Sequence, residues 1–471
     1  MPETFRILMM GDFSGRGERG AVDTGADLAR RRPLPVDRDS VEDAMLALGV
    51  ELAGIRFREL DDFHPDRLYE TVPLFQAVRA LRRKLEDPAY VAQLAGRTPS
   101  PPRSEPAPAP PLPSGDLLGQ ILDASEPGAA DAGRPRGRPD EFQRFLTSIV
   151  EPHLAPGTGK ADRERQQEML AATDAGIASL MREVLRHPDI QAVEGAWRAV
   201  DLVVRRLETG THLKVYLLDL SRAELTADLA DGDIARTGLY KLLVEQTRGT
   251  VGAEGWSVIA GAYGFGPSDE DLAALEALSR IAQASGAPFL AGADSRLAGC
   301  PDFSAAPDPD DWSLPVPDAW LALRRSPAAR SVGLFAPRFL ARLPYGRESS
   351  PCERFAFEEL TRFDDHQGYL WANSAFLGAL VLGELFAADG WSLTPGVNHR
   401  ISGLPLHSGV VDGGPEMKPC AEMWMSERAA GRLAASGIVP VASLKNADAA
   451  QIVRFQSIAD PVRSLAGPWE G

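Results

Sequence analysis

Two stretches of the chain have the glycine spacing that phosphate binding requires. Residues 15–20 read GRGERG, a G-x-G-x-x-G run directly behind the apolar segment FRILMM. Such a loop cradles a pyrophosphate only if a helix begins right after the glycines, its N-terminus facing the anion. The residues that follow are AVDTGADLARRRPLPVD, which lack an apolar stripe and contain Pro33 and Pro35. The next helix signal comes only at Ser40. The fingerprint fails on context, and a glycine-rich connection between strand and helix is expected instead. The second loop, GAYGFGPSDED at 261–271, has the better context of strand before and helix after. Its helix opens with Asp269, Glu270 and Asp271, which suit a helix N-terminus and repel a phosphate there. Ser268 is the expected N-cap, with Asp271 as its partner. No G-x-x-x-x-G-K-[ST] run occurs; GTGK at 157–160 lacks the upstream glycine and the following hydroxyl.

Other chemistry is sparse. DDFHP brings Asp61, Asp62, His64 and Asp66 together, a conceivable metal set, but the residues also read as the acidic, proline-started first turn of a helix. There is no HExxH, no CxxC and no G-x-S-x-G elbow. Cys300, Cys352 and Cys420 are scattered and odd in number, as reduced thiols of a cytoplasmic protein would be. No catalytic, cofactor or metal residue is assigned. The basic runs ARRR (29–32) and LRRKL (81–85) read as solvated faces, or as contacts with acidic surfaces of neighbouring copies.

The totals agree with a soluble protein. Of 471 residues, 44% are apolar and 25% charged, and the formal net charge is −16. That charge disfavours a nucleic-acid backbone or an anionic membrane as main partner. The N-terminus lacks the basic start and long apolar core of a signal peptide. FLGALVLGELF (376–386) is too short to span a bilayer and carries Glu384.

Composition divides the chain into three zones. Residues 1–95 read β-α-β-α: FRILMM, a helix from SVEDAMLALG capped by Ser40 with Asp43, GIRFREL, and an amphipathic helix over HPDRLYETVPLFQAVRALRRKL that Pro73 bends. Two strands and two helices make a marginal core, so this unit is expected to lean on another. Residues 96–140 contain 11 prolines and read as an extended linker, able to span on the order of 100 Å. Residues 141–471 form a larger α/β body in two parts, about 141–330 and 331–471. LKVYLLDL, WSVIAGAY, PFLAGA and SVGLFA read as buried strands, and SDEDLAALEALSRIAQAS as a crossover helix that makes a parallel pair. PDIQAVEGAWRAVDLVVRRLE carries the stripe Ile190, Val193, Trp197, Val200, Val204 and Leu207.

Several strings are distinctive. HPDIQAVEGAWRAVDLVVRRL resembles a signature of the large contractile-sheath subunit of type VI secretion systems, through His187, Pro188, Gln191, Glu194, Trp197 and Arg198. GLFAPRFLARLPYG resembles a second signature, through Pro337, Arg338, Arg342, Pro344, Tyr345 and Gly346. FAFEEL, LWANSAF and GWSLTPGVNHRISGLPLH follow in the family's order, and the resemblance runs over roughly 141–460. The first zone resembles a shortened small sheath subunit, through FRILMMGDFSG, PVDRDSVEDAM and FRELDDFHPDRLYETVPLFQAVRALRRKL.

The resemblance implies an α/β fold of the contractile sheath type. It also implies a cytoplasmic, non-enzymatic bacterial scaffold that self-associates into rings or a tube around an inner-tube protein. Baseplate components and a hexameric disassembly ATPase are the other implied partners. EFQRFLTSIV is the local candidate for the ATPase-contact helix, through Phe142, Phe145, Leu146 and Ile149. Large subunits continue beyond GIVPVASLKNAD with interlocking strands, which this chain is expected to lack. Two other readings stand beside the sheath subunit: a sheath-derived adaptor at a baseplate or cap, and a nucleotide-binding α/β enzyme using Gly261 to Gly266.

Overall fold

The computed structural model describes residues 4–95, 162–248, 253–411 and 413–470. The proline-rich stretch 96–140 and Phe142, Phe145, Leu146 and Ile149 lie outside the described residues.

The fold is mixed α/β, organised on a sheet of nine strands. In chain order these are β1 (Phe5–Gly11), β2 (Leu34–Val36), β3 (Leu213–Asp219), β4 (Val258–Phe265), β5 (Phe289–Ala293), β6 (Val332–Ala336), β7 (Val397–Ser402), β8 (Ile438–Ser443) and β9 (Ala449–Arg454). Their order across the sheet is β7-β9-β8-β6-β5-β4-β1-β3-β2. The six central strands β8, β6, β5, β4, β1 and β3 run parallel, and β2, β9 and β7 pair antiparallel at the margins.

The N-terminal strand lies inside this sheet, between two strands of the body. β1 pairs with β3 from Phe5↔Leu213 to Gly11↔Asp219, and with β4 from Ile7↔Val258 to Met10↔Gly261. A parallel strand covered on both faces must be apolar on both, and FRILMM is so apart from Arg6. Phe5, Ile7 and Met9 enter one core; Leu8 and Met10 enter the other.

The helices that matter are α1 (Val41–Leu48), α2 (Pro65–Thr71), α3 (Leu74–Leu85), α4 (Asp162–Leu185), α5 (Pro188–Arg206), α6 (Arg222–Leu229), α7 (Asp269–Ser285) and α8 (Ala375–Asp389). One core holds α5, α8, part of α4 and the apolar faces of α1, α2 and α3. The other holds α6 and α7. The first unit therefore shares a core with the body: Met45, Phe63, Leu68 and Phe75 belong to the same cluster as Ile177, Trp197 and Leu380. Arg82 of LRRKL reaches Asp174 of α4 at 2.7 Å, and Gln166 donates to the Leu85 carbonyl at 2.8 Å.

Helix α8 is long and apolar enough, with the turn after it, to cross a membrane by composition. Its setting is a protein core. Ten of its fifteen residues are buried, and a Cβ on Gly383 would lie 2.8 Å from Leu207, so glycine permits the close approach of α5's C-terminal end.

Three local expectations are corrected. The helix over 64–85 is two helices, because Pro73 cannot donate a backbone hydrogen bond and Val72 turns extended. GIRFREL is strand only at Ile55–Arg56, paired with Glu51–Leu52. Ser40 does not cap α1; its hydroxyl donates to the Asp37 carboxylate at 2.7 Å.

The position of β1 generates a prediction. Residues 141–471 produced alone should aggregate, because β3 and β4 then expose unpaired edges and a slot of apolar side chains. Co-expression of residues 1–95 should restore soluble material. Size-exclusion chromatography checks it: a soluble, monodisperse 141–471 fragment would refute it.

Candidate functional site

Helix α5 starts where its sequence says it should. Pro188 occupies the first turn, Asp189 follows, and His187 stands at the N-cap position with its ring 3.8 Å from the Asp189 carboxylate. The apolar stripe turns inward, and Glu194 turns inward with it. Its side chain is fully buried. An ionised carboxylate in that position needs equally buried cations.

Two arginines meet it. Arg198, one turn along the helix, donates to Glu194 Oε1 at 2.7 Å. Arg342 comes from the segment after β6 and grips both Glu194 oxygens, at 2.7 and 3.2 Å. The same guanidinium grips Glu359, at 2.7 and 3.0 Å. Tyr345 closes the group: its N–H donates to Glu359 at 2.7 Å, its hydroxyl accepts from Arg198 at 3.0 Å, and its ring lies 3.9 Å from the Arg342 guanidinium carbon. Two carboxylates thus match two guanidiniums in a cluster that is buried except for part of Arg198. Burial alone raises the Glu194 carboxyl, but Arg342 and Arg198 hold it below the usual range.

A second charged node stands nearby. Arg338 donates to Glu422 through Nε and Nη2 at 3.0 and 2.6 Å and through its backbone N–H at 2.9 Å. His366 lies 3.4 Å from the same carboxylate. Burial pushes Glu422 up; His366 and Arg338 outweigh it and bring the carboxyl down to about 2.

The two signature strings therefore converge in part. Glu194, Arg198, Arg342 and Tyr345 form one network. Trp197 leaves the same helix in another direction and donates from its indole to the Phe13 carbonyl at 2.8 Å, with the two rings 5.6 Å apart. His187, Pro188 and Gln191 form the first turn of α5, outside the network. The Pro337 carbonyl accepts from Ser374 at 2.6 Å, the Pro344 carbonyl accepts from Ser349, and Gly346 bridges to Ser350. Glu359 and Glu422 were not singled out by sequence reasoning. Glu359 sits within FAFEEL, and the pairing of that string with an arginine-bearing one was the available signal.

The first glycine loop is filled from within. Asp12 accepts the N–H groups of Arg16 and Gly17, both at 2.7 Å. Asp219, at the end of β3, accepts from the Phe13 and Ser14 N–H groups at 2.9 and 3.1 Å and from the Ser14 hydroxyl at 2.7 Å. Glu224 pairs with both Arg16 and Arg31. Those backbone donors already face carboxylates, so the loop offers a phosphate negative charge instead of free N–H groups. Arg31 of the ARRR run is thereby an internal tie, not a solvated face. Burial raises Glu224, but Arg31, Arg16 and backbone donors bring it down to about 2.

The second loop borders a cleft of about 470 Å³ at the carboxyl ends of β4 and β5, lined among others by Gly264, Gly266, Asp271, Asp294, Asn373 and Glu422. Ser268 caps α7 through the Asp271 N–H, and Asp271 accepts from Gly266 at 2.8 Å. Asp271, Asp294 and Glu422 face this cleft already paired with Arg222, Arg296 and Arg338.

Comparison with known proteins gives the arrangement a family. The family described as VipB, the EvpB/VC_A0108 tail sheath N-terminal domain, matches residues 167–459. The chain belongs to this tail sheath family. It is also 34% identical over 306 residues to the type VI secretion system sheath protein TssC1 of Pseudomonas aeruginosa, over 63% of this chain and 61% of that protein. The chain thus matches about three fifths of that relative's length. The tail sheath family is structural, and the network suits such a role: Arg342 ties Glu194 of α5 to Glu359 across the body.

Two predictions follow from the charges. Glu194→Gln should destabilise the protein by about 3–5 kcal/mol, as loss of one partner of a buried pair does. The double variant E194Q/R342Q should cost less than the sum of its single variants, by at least about 0.5 kcal/mol. Urea denaturation of the four proteins checks this, and additivity would refute the coupling. The second concerns pH. Glu224 and Glu422 ionise near about 2 when folded, against 4.5 ordinarily. Their stabilisation is therefore complete above pH 4.5 and is lost as pH falls toward 2. The urea midpoint should be level above that window and drop within it; a midpoint insensitive to pH between 4.5 and 2 would contradict it.

Proposed function

We propose that this chain is a structural subunit of a type VI secretion contractile sheath, a small-subunit-like part (1–95) and a large-subunit-like body (141–471) joined through 96–140. In this reading copies assemble around an inner tube in the cytoplasm, and contraction of the assembly propels the tube. The observation that carries the proposal is the buried network of Glu194, Arg198, Arg342 and Tyr345, built from both signature strings of the body in a chain of the tail sheath family. A subunit that transmits force must hold its elements in one register under load, and a largely buried bidentate ion-pair cluster does so by geometry.

The placement of β1 supports the reading of 1–95 as a working part of the subunit. A strand paired on both sides cannot leave without opening the sheet. Fusion of two such partners in one chain keeps their effective concentration high. The work of the protein, on this proposal, is mechanical and not catalytic. Baseplate components dock the assembly, and a hexameric ATPase that dismantles it engages Phe142, Phe145, Leu146 and Ile149.

Electron microscopy of the purified chain, with and without a co-expressed inner-tube protein, tests the proposal. Tubes with a hollow lumen are the expected result. A strictly monomeric protein in both samples would overturn it, and discrete non-polymerising complexes would assign the chain to an adaptor at a baseplate or cap.

A further inference from the structure

The DDFHP motif of the first unit finds a partner that lies far from it in sequence. His64 and Asp66 stand against Cys352, and among the described residues these form the group of three whose ligand atoms, an imidazole nitrogen, a carboxylate oxygen and a thiol sulfur, all lie within 4.8 Å of one another. Asp61 and Asp62 take no part. Asp62 instead accepts from the Arg58 N–H at 2.7 Å.

Asp66 and His64 are fixed by contacts with the chain around them, and Asp66 seats the segment that carries Cys352. Asp66 accepts from the backbone N–H groups of Glu353 and Arg354 at 2.8 and 3.1 Å, which seats the Cys352 segment on α2. Arg354 pairs with Glu70 at 2.7 Å, and Tyr69 packs on Phe355 with ring centroids 4.9 Å apart. His64 is edge-on to Tyr345 at 4.9 Å, which ties it to the buried network. Its Nδ1 accepts the Asp66 N–H at 3.2 Å and lies 3.9 Å from the Asp66 carboxylate. All three residues are partly buried, so a small ion reaches them from solvent.

We infer that His64, Asp66 and Cys352 form a divalent transition-metal site, most suited to Zn²⁺, that clips the first unit to the loop following Tyr345. The donor set decides the class of ion. Thiolate with imidazole excludes Mg²⁺ and Ca²⁺, which take oxygen ligands, and selects a borderline or soft ion. Three protein ligands leave a fourth tetrahedral position for water. Tetrahedral zinc sets ligand atoms roughly 3.4–3.7 Å apart, and these three already lie within 4.8 Å of one another, so side-chain movements on the order of 1 Å suffice. Cysteine binds as thiolate, so one proton leaves to solvent as the metal enters. Cys300 and Cys420 are fully buried elsewhere, so a metal–thiolate signal from the folded chain reports Cys352.

The full chain, stripped with chelator and kept reduced, is titrated with Co²⁺ and then with Zn²⁺. The expected result is one equivalent of Co²⁺ with a thiolate-to-cobalt charge-transfer band, displaced by Zn²⁺, and a melting temperature raised by Zn²⁺. Cys352→Ser should abolish both the band and the zinc-dependent rise in melting temperature. Asp66→Asn should weaken Co²⁺ binding at least tenfold. Because Asp66 also anchors two backbone N–H groups, the isosteric serine variant decides if the asparagine variant fails to fold. Absence of the band in the native chain, or its persistence in Cys352→Ser, overturns the inference.

Discussion

A carboxylate shut away from water governs the architecture of the body. Glu194 sits on the inward face of an otherwise apolar helix, where no solvent screens it. Its neutralisation cannot be local alone, because Arg198 on the same helix reaches only one of its oxygens. The rest comes from Arg342, which lies beyond the sixth strand and carries Glu359 with it. The constraint thus fixes the relative position of α5, the segment after β6 with Arg342 and Tyr345, and the segment around Glu359. Buried ion pairs add little net stability over an apolar core of the same volume, but removal of one partner strands the other. That asymmetry makes the cluster a device for register more than for net stability, as the proposed mechanical role requires.

The same logic explains the glycine loop behind β1. Close packing against Glu51 and Leu52 forces Gly15 into the left-handed region at φ +80°, where a side chain would collide. The N–H groups of Phe13, Ser14, Arg16 and Gly17 are taken by Asp219 and Asp12, and the Arg16 and Arg31 side chains are taken by Glu224. A motif that resembles a phosphate cradle is here a connection neutralised from inside. What distinguishes the two is the charge that faces the backbone donors: Asp12 supplies it locally to Arg16 and Gly17, and Asp219 supplies it to Phe13 and Ser14 from more than 200 positions away.

Burial also explains why the first unit is not independent. Its strand is apolar on both faces, and its helices present Met45, Phe63 and Phe75 to a cluster that includes Trp197. These residues pack on each other, as Phe57 does on Phe63 at 4.2 Å between ring centroids, and on the body in one cluster. The indole of Trp197 completes the joint by donating to the Phe13 carbonyl, so one helix serves both the ion-pair network and the N-terminal strand.

Much of this was legible in the chain itself. The buried strands announced themselves as unbroken apolar runs, α5 by its apolar stripe, and α7 by Ser268 and its acidic first turn. These signals are local: they depend on residues within a turn or two of each other. The sequence alone also identified Glu194, Arg198, Arg342 and Tyr345 as members of two strings, but as strings only. It missed Glu359 and Glu422, and it could not say that Ser40 would turn back to Asp37 or that Arg31 would turn inward. Only the tertiary structure decided which carboxylate meets which guanidinium, that β1 lies in the middle of the body's sheet, and that Cys352 faces His64. The reason is physical. Secondary structure follows from short-range sterics and periodicity, whereas charge pairing and strand order depend on the free energy of removing groups from water together, and that is fixed only when distant segments share one core.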